Sequence, residues 1–262
     1  MNALKISALV LSGSLLLSAC SGGKPAAAPG PTARPRKADV NVNLEPVANR
    51  PFVRLSPRSD GKAISMTLLS EKKGAKDLEY EVEYSSGSLL QGAFGSVDSL
   101  ANLPITKEIL LGSCSTGGKC TYNTNVTGGT LTLRFGTPDY TMKQEWSYAE
   151  KAKKLTNFVS RDGKFTLGTA KAKNSSDYVI IYQTPGYPGT IAGTIVAGPY
   201  EVAPAESITG TVSVSVRVPS DTKAATLMAW NGKAWVDYKG TLANQVLNAS
   251  GPSAEVFVVV TK

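Results

Sequence analysis

The chain of 262 residues contains no histidine, only three cysteines, and few charged residues, which make up 18% of it. Without histidine, neither a serine–histidine–aspartate nor a cysteine–histidine catalytic arrangement can form. Histidine is also a common zinc ligand, so its absence argues against a zinc site. The phosphate-binding loop, the dinucleotide-binding glycine fingerprint and the EF-hand spacing are missing as well. We therefore predict no bound metal and no cofactor.

Carboxylates are the catalytic candidates that remain, since paired carboxylates hydrolyse glycosides. Glu79, Glu81 and Glu83 alternate with apolar residues in the stretch LEYEVEY. This pattern is typical of the solvent-facing side of a strand, where charges normally lie. We therefore predict that the protein is not an enzyme.

The net charge of +8 is concentrated near the N-terminus. Residues 21–58 hold seven basic and two acidic residues, whereas residues 59–262 hold 20 basic and 18 acidic residues. A nucleic-acid-binding protein carries its basic surface on the folded domain, so we predict no nucleic-acid partner. A basic segment beside a membrane or a cell wall instead attracts anionic lipids and acidic polymers.

The first 19 residues have the features of a secretory signal peptide. A short positive start, Met1–Lys5, precedes an apolar run, Ile6–Leu17, which is too short to span a membrane comfortably. The residues Leu17-Ser18-Ala19-Cys20 resemble the lipobox of bacterial lipoproteins. The resemblance implies cleavage before Cys20, a diacylglycerol on its sulfur and an N-acyl chain such as palmitate on its new N-terminus.

This resemblance predicts a location outside the cytoplasm, in a bacterial cell envelope. Two or more acyl chains hold a protein stably on a membrane where one does not. The aspartate that retains some lipoproteins in the inner membrane is replaced by Ser21. The resemblance therefore implies the outer membrane in a cell with two membranes, and the outer face of the cytoplasmic membrane in a cell with one.

Residues 20–58 are predicted to form the lipidated N-terminus and a flexible, basic tether rich in proline, alanine and glycine. The segment has little apolar surface to offset the entropy of ordering. One alternative stays open: Val40–Val53 could join the first folded domain as an extra strand.

From residue 59 onward, apolar and polar residues alternate with a period of two, which is typical of antiparallel strands. Leu131, Leu133 and Phe135 are expected inside, with Thr130, Thr132 and Arg134 outside. The spacing predicts an all-β fold with two tandem antiparallel β-sandwiches of immunoglobulin or fibronectin type. The first comprises residues 59–149 and the second residues 156–262, separated by the charged stretch EKAKKL at 150–155.

The last 70 residues resemble a β-sandwich module found on many bacterial surface proteins. The resemblance rests on GPYEVAPAE (198–206), the valine-alternating strand ITGTVSVSVRVP (208–219), WNGKAWV (230–236) and the valine-rich end of the chain. It implies a structural or adhesive role and no catalytic residues.

Once Cys20 is assigned to lipid attachment, Cys114 and Cys120 remain as an even pair. They flank STGGK between two strand-like stretches, and an exported protein is exposed to oxidising conditions. We predict a disulfide between them. The alternative is a pair of metal ligands, but two thiols without histidine do not complete a tetrahedral site.

Three aromatic residues are candidate ligand-binding residues: Tyr187, Trp230 and Trp235. Asn231-Gly232 predicts a two-residue hairpin turn that places Trp230 opposite Lys233. Tyr187, between two Pro-Gly-like turns, is expected to be exposed. Exposed aromatic rings stack on sugars, although tryptophan beside a hairpin turn more often covers a core.

Together these features predict a membrane-anchored lipoprotein of the cell envelope with a non-enzymatic structural, adhesive or assembly role. Its partners would be the membrane, through the lipid, and envelope proteins or a cell-wall polymer. The alternative function is a module that binds glycan or peptidoglycan through its aromatic residues.

Overall fold

The computed structural model describes residues 42–261, and the chain is almost entirely β-structure in this range. It contains two short 3-10 segments, Val47–Asn49 and Ala152–Lys154, and no α-helix within those residues. The strands are β1 (Phe52–Pro57), β2 (Ala63–Ser70), β3 (Asp77–Ser86), β4 (Leu89–Val97), β5 (Ile105–Leu110), β6 (Gly112–Cys114), β7 (Cys120–Tyr122), β8 (Val126–Gly136), β9 (Tyr140–Glu150), β10 (Asn157–Val159), β11 (Phe165–Gly168), β12 (Ala172–Asn174), β13 (Tyr178–Tyr182), β14 (Thr194–Pro204), β15 (Ile208–Arg217), β16 (Thr226–Trp230), β17 (Trp235–Tyr238), β18 (Gly240–Ala243), β19 (Val246–Pro252) and β20 (Val256–Thr261).

A nine-stranded antiparallel sheet, the central sheet, runs through the molecule in the order β17-β16-β20-β14-β13-β9-β8-β3-β4. A three-stranded sheet, β1-β2-β5, and a six-stranded sheet, β10-β11-β15-β19-β18 with β12 paired to β15, accompany it. Strands β6 and β7 form a separate hairpin. The predicted all-β sandwich class is confirmed.

Two hydrophobic cores lie on opposite faces of the central sheet. The first core joins the three-stranded sheet to β3, β8 and β9, and the second joins the six-stranded sheet to β14, β16 and β20. Strand β13 contributes side chains to both cores, because neighbouring residues in a strand point to opposite faces. Ile180 and Tyr182 lie in the first core, and Val179 and Ile181 lie in the second.

The break predicted at residues 150–155 falls between β9 and β10. The central sheet crosses this break because β13 pairs with β9, which places Tyr182 opposite Trp146. Residues 42–261 belong to one compact unit. The division into two separate domains stays a prediction drawn from the sequence, whereas the structure places one sheet in both blocks.

The predicted tether extends too far toward the C-terminus. Residues 42–58, which were assigned to it, are part of the fold: β1 pairs with β2 along its whole length, and Val53 and Leu55 are fully buried. Asn43 is held against β9, where its backbone N–H donates to Thr141 O (2.9 Å) and its side chain accepts the Lys143 N–H (3.0 Å). The alternative of an extra strand at Val40–Val53 is correct in part: residues 42–53 join the fold, but only Phe52 and Val53 of them lie in a strand.

Candidate functional site

The predicted lipid attachment site, Cys20, and residues 20–41 of the predicted tether lie outside the described residues. Both therefore remain predictions from the sequence. Among residues 42–261, the structure contains no helix of the length and apolar character that crossing a bilayer requires.

The predicted disulfide between Cys114 and Cys120 is confirmed, with an S–S distance of 2.01 Å. The two cysteines are cross-strand neighbours in the β6–β7 hairpin, and most of this hairpin is exposed. A side chain at Gly112 would meet the backbone oxygen of Thr121 at 2.2 Å, so the narrow base of the hairpin requires glycine there. The disulfide closes a small, solvent-facing loop.

The three predicted aromatic residues lie together at the end of the β16–β17 hairpin. The rings of Trp230 and Trp235 are 5.5 Å apart and inclined by 60°, and those of Tyr187 and Trp235 are 6.2 Å apart and inclined by 68°. The ammonium group of Lys72 lies 4.8 Å from the centre of the Tyr187 ring. The three residues named from the sequence thus lie close together, whereas their role in ligand binding stays a prediction.

Two details of that prediction are wrong. Tyr187 is buried, with 9% of its surface exposed, because its loop packs against β1: Thr184 Oγ1 donates to Val53 O (2.8 Å). The hairpin turn is longer than predicted, since Trp230 lies opposite Trp235 and not Lys233. Asn231 Oδ1 accepts the backbone N–H groups of residues 233 and 234, which stabilises a four-residue loop in place of the two-residue turn.

The aromatic cluster is packed around a loop of the protein itself. Trp235 Nε1 donates a hydrogen bond to Pro188 O (3.0 Å), and a side chain at Gly189 would meet the Trp230 ring at 3.1 Å. Trp230 and Trp235 are half-buried, and their inclined rings do not present one flat surface for stacking on a sugar ring. The cluster chiefly fastens the loop at residues 183–190 to the hairpin.

A cleft of about 670 Å³ opens beside β14, β15 and the segment that leads into β20. Arg54, on its wall, forms ion pairs with the buried Glu201 and with Glu255 (3.1 Å). The Glu201 carboxylate also accepts the Leu55 N–H (3.2 Å). Burial raises the pKa of Glu201 to about 7, against the opposing attraction of Arg54.

Arg54, Glu201 and Glu255 in this cleft are paired with one another. Within residues 42–261, no cluster of three or more histidine, cysteine, aspartate or glutamate side chains is placed to hold a metal ion. The Arg54–Glu201 pair joins the three-stranded sheet to the central sheet, which makes it a structural contact between layers. Sequence reasoning missed it because the two residues are 147 positions apart.

The most unusual surface is β4, the last strand of the central sheet. Its sequence, LLQGAFGSV, contains no charged residue and no proline. Leu89, Leu90 and Phe94 are 63%, 70% and 79% exposed. Within residues 42–261, β4 pairs with β3 alone, so its outer edge presents unpaired backbone N–H and C=O groups.

The sequence predicts a strand at 88–94 but not that it lies at an edge. The only sequence feature that could have indicated an unprotected edge is the lack of charge over nine residues. A buried strand has the same feature. The burial pattern distinguishes the two cases, because only Val97 of the nine residues is buried. An uncharged, exposed edge is a template for pairing with another strand.

No protein-family model, curated protein or solved structure matches this chain. The resemblance to immunoglobulin-like surface modules therefore stays a prediction.

Proposed function

We propose that this protein is a non-enzymatic lipoprotein of the bacterial cell envelope that acts in assembly or adhesion by pairing the β4 edge with a protein strand. The observation that carries the proposal is the nine-residue edge without charge, on which Leu89, Leu90 and Phe94 are exposed. Soluble proteins normally blunt such edges with lysine, proline or a covering segment. An edge that has none of these features within residues 42–261 is suited to pairing with a partner strand.

Strand pairing would give both affinity and specificity at β4. The backbone groups of the edge supply hydrogen bonds whatever the partner's sequence, and the exposed side chains select the partner by shape. The β3 strand behind the edge is held on its other side by β8 over ten residues, so the edge is firmly supported. A rigid edge loses little conformational entropy when a partner binds.

The lipid anchor is the second part of the proposal, and it rests on Leu17-Ser18-Ala19-Cys20. A diacylglycerol on Cys20 would hold the folded part at the membrane surface. We expect Cys20→Ala to release the protein from the membrane fraction of cells. The variant Cys114→Ser with Cys120→Ser, which keeps Cys20, is the matched control and should stay with the membrane. Retention of Cys20→Ala on the membrane would contradict the lipoprotein assignment.

The edge is tested in cells by replacing Phe94 with the photoreactive residue p-benzoylphenylalanine in the full-length chain. Irradiation should yield a discrete protein adduct at position 94. The same replacement at Val236, which is 38% exposed on the opposite edge strand β17, is the control and should yield none. Absence of any protein adduct at position 94 would overturn the proposed role of β4.

The alternative function, binding of a cell-wall glycan, is supported by the proximity of Tyr187, Trp230 and Trp235 and by Lys72 beside them. It predicts that cell-wall fragments quench tryptophan fluorescence of the wild type but not of Trp230→Ala. The third tryptophan, Trp146, is fully buried in the first core and supplies a constant background. An unchanged spectrum would remove this alternative.

A further inference from the structure

The outer face of β4 carries a symmetric apolar pattern. Leu90, Gly92 and Phe94 point to this face, opposite Ser85, Glu83 and Glu81 of β3. Gly92 is the midpoint, with one large apolar residue two positions away on each side. Because residues two apart share a face of a strand, Leu90 and Phe94 stand on either side of a gap left by the glycine.

We propose that two copies of this chain pair edge to edge through β4, as antiparallel strands related by a two-fold axis at Gly92. The inference rests on the proposed function, since it names the partner of the same edge. In this register, Leu90 of each copy lies opposite Phe94 of the other, so the same apolar contact forms twice. Such self-complementary contacts are characteristic of two-fold dimers.

The register is selected by side-chain size. Moving the axis by one residue, to Gln91 or Ala93, sets a large apolar residue opposite Gly92 and loses both Leu–Phe contacts. With the axis at Gly92, the glycines face each other and leave room for the Phe94 rings to cover the backbone. Cross-strand apolar pairs of this kind contribute roughly 0.2–1 kcal/mol each, and backbone hydrogen bonds add to them.

The opposite edge of the central sheet is a poorer partner. Strand β17 has four residues and carries the exposed Asp237. Pairing β4 with β17 of another copy would give a shorter contact, place a charge beside Phe94 or Leu90, and build an open chain of molecules. The β4–β4 arrangement is closed and contains no charged side chain within either strand.

Charge near the axis does not oppose this pairing. Among the glutamates of β3, Glu81 Oε2 accepts a hydrogen bond from Arg134 Nη2 (3.1 Å), and Glu83 Oε2 accepts one from Thr130 Oγ1 (3.2 Å). In the dimer, the two β3 strands are separated by both β4 strands, about 14 Å apart. Salt at physiological strength screens charges over about 8 Å.

The contact is small beside an ordinary interface, which buries roughly 1,600 Å². Two nine-residue edges bury less, so we expect weak association in dilute solution. Anchoring both copies in one membrane raises their effective concentration, which strengthens association without any new contact. The lipid on Cys20 and the β4 edge would therefore act together.

A single introduced cysteine tests the axis. Gly92→Cys in the full-length, lipidated chain places two thiols opposite each other at the axis, within the Cα separation of 4.4–6.8 Å that a disulfide allows. A Cβ at Gly92 would have only the Val82 backbone oxygen within 4 Å, at 3.7 Å, and position 92 is exposed, so the variant should fold. Non-reducing electrophoresis of whole cells should show a covalent dimer of this chain, which a reducing agent separates.

Ser96→Cys is the matched control. Ser96 is exposed on the same face of the same strand, but its two copies would lie about 26 Å apart in the proposed register. It should form no covalent dimer. A dimer of equal yield at both positions, or none at Gly92, would overturn the proposed pairing.

Two variants that each introduce a glutamate test the position of the axis without cysteine. Gly92→Glu and Ser96→Glu each place a carboxylate opposite an existing glutamate of β3, Glu83 and Glu79 respectively. Only the first brings two carboxylates together at the axis. We expect Gly92→Glu to weaken dimerisation of the purified lipoprotein at least about tenfold, and Ser96→Glu less than about threefold, by analytical ultracentrifugation in detergent.

The photoreactive residue at position 94 separates the failure of this inference from that of the proposed function. An adduct of twice the chain mass supports the second copy. An adduct with a different envelope protein overturns the second copy but leaves the role of β4 standing. Adducts with lipid alone, or none, overturn both.

Discussion

Strands β13 and β4 both lack charged residues, yet they occupy opposite situations in the central sheet. Strand β13 lies in the middle, pairs with a strand on each side, and sends residues into both cores. Strand β4 lies at the end, pairs on one side, and exposes most of its residues. In β13, charged residues are absent because the strand is buried on both faces. Strand β4 is mostly exposed, so burial does not explain its lack of charge.

The opposite edge of the central sheet also differs from β4. Strand β17 is short and carries Asp237, as edge strands usually do to avoid unwanted pairing. In the part of the chain that the structure describes, one edge of the sheet is thus protected and the other is not. This contrast is why we assign a partner to β4 and none to β17.

The largest expected effect comes from truncation in the middle of the sheet. Ile180→Ala and Ile181→Ala each remove a fully buried side chain, one from each core, and should lower the free energy of unfolding by about 2–5 kcal/mol. Urea denaturation measures the loss. Leu90→Ala, at the exposed edge, should change it by less than about 0.5 kcal/mol. Equal losses at positions 90 and 180 would contradict the contrast between the strands.

A smaller effect, dependent on pH, is expected at Glu201 on β14, next to β13. Its folded-state pKa of about 7 lies above its ordinary value of 4.5, so the folded protein binds more protons than the unfolded chain between these values. The free energy of unfolding should therefore fall as pH rises from 5 to 8, by on the order of 2–3 kcal/mol. Arg54, Glu255 and Tyr182 are the charged or titratable groups that act on it.

Glu201→Gln keeps an oxygen to accept the Leu55 N–H and removes the titration. Denaturation at several pH values should show a flatter profile for this variant than for the wild type. Glu79→Gln, on the exposed face of β3, is the matched control and should keep the wild-type slope. A Glu201→Gln profile parallel to that of the wild type would contradict the assignment.

Removal of the disulfide should cost about 2 kcal/mol, from the chain-entropy estimate for a loop of seven residues. The double variant Cys114→Ser with Cys120→Ser measures it by thermal or urea unfolding. The β6–β7 hairpin differs from both β13 and β4: it is exposed, as β4 is, but a disulfide closes it. A cost above about 4 kcal/mol would mean that the hairpin supports the core.

The smallest effect on stability is expected from Phe94→Ser. The ring is 79% exposed, so the midpoint of unfolding should hardly move. Aggregation on heating should begin at a higher temperature, because an apolar edge promotes strand pairing between molecules. Val236→Ser on β17 is the control, for which neither quantity should change. A lower unfolding midpoint for Phe94→Ser would show that the ring supports the fold.

Local patterns predict the strands of this protein well and their neighbours poorly. The alternation of LEYEVEY predicts that Leu78, Tyr80, Val82 and Tyr84 face inward. Leu78, Val82 and Tyr84 are buried, and Tyr80 is half-buried. It cannot predict that β13 pairs with β9 across a charged break, because that contact depends on packing between distant segments. The edge position of β4 was hidden for the same reason.

Neighbouring side chains also decide burial. Thr132 was expected outside but is almost fully buried; it lies opposite Glu81 on one adjacent strand and Lys143 on the other, both of which have long side chains. Tyr187 was expected outside and is buried by its loop. At the candidate site, the sequence correctly predicts the disulfide. The ligand-binding role of the three aromatic residues stays a prediction, and the inclination of their rings could not be predicted.

Where the chain enters the fold also has a mechanical consequence. Asn43 is fastened to β9 by its backbone and its side chain, and its carbonyl accepts a hydrogen bond from Arg50 Nη2 (2.8 Å). Tension applied through the N-terminal side of the chain meets these bonds before it reaches β1. Because the bonds to Thr141 and Lys143 join Asn43 to the central sheet, such tension would load that sheet before it separates β1 from β2.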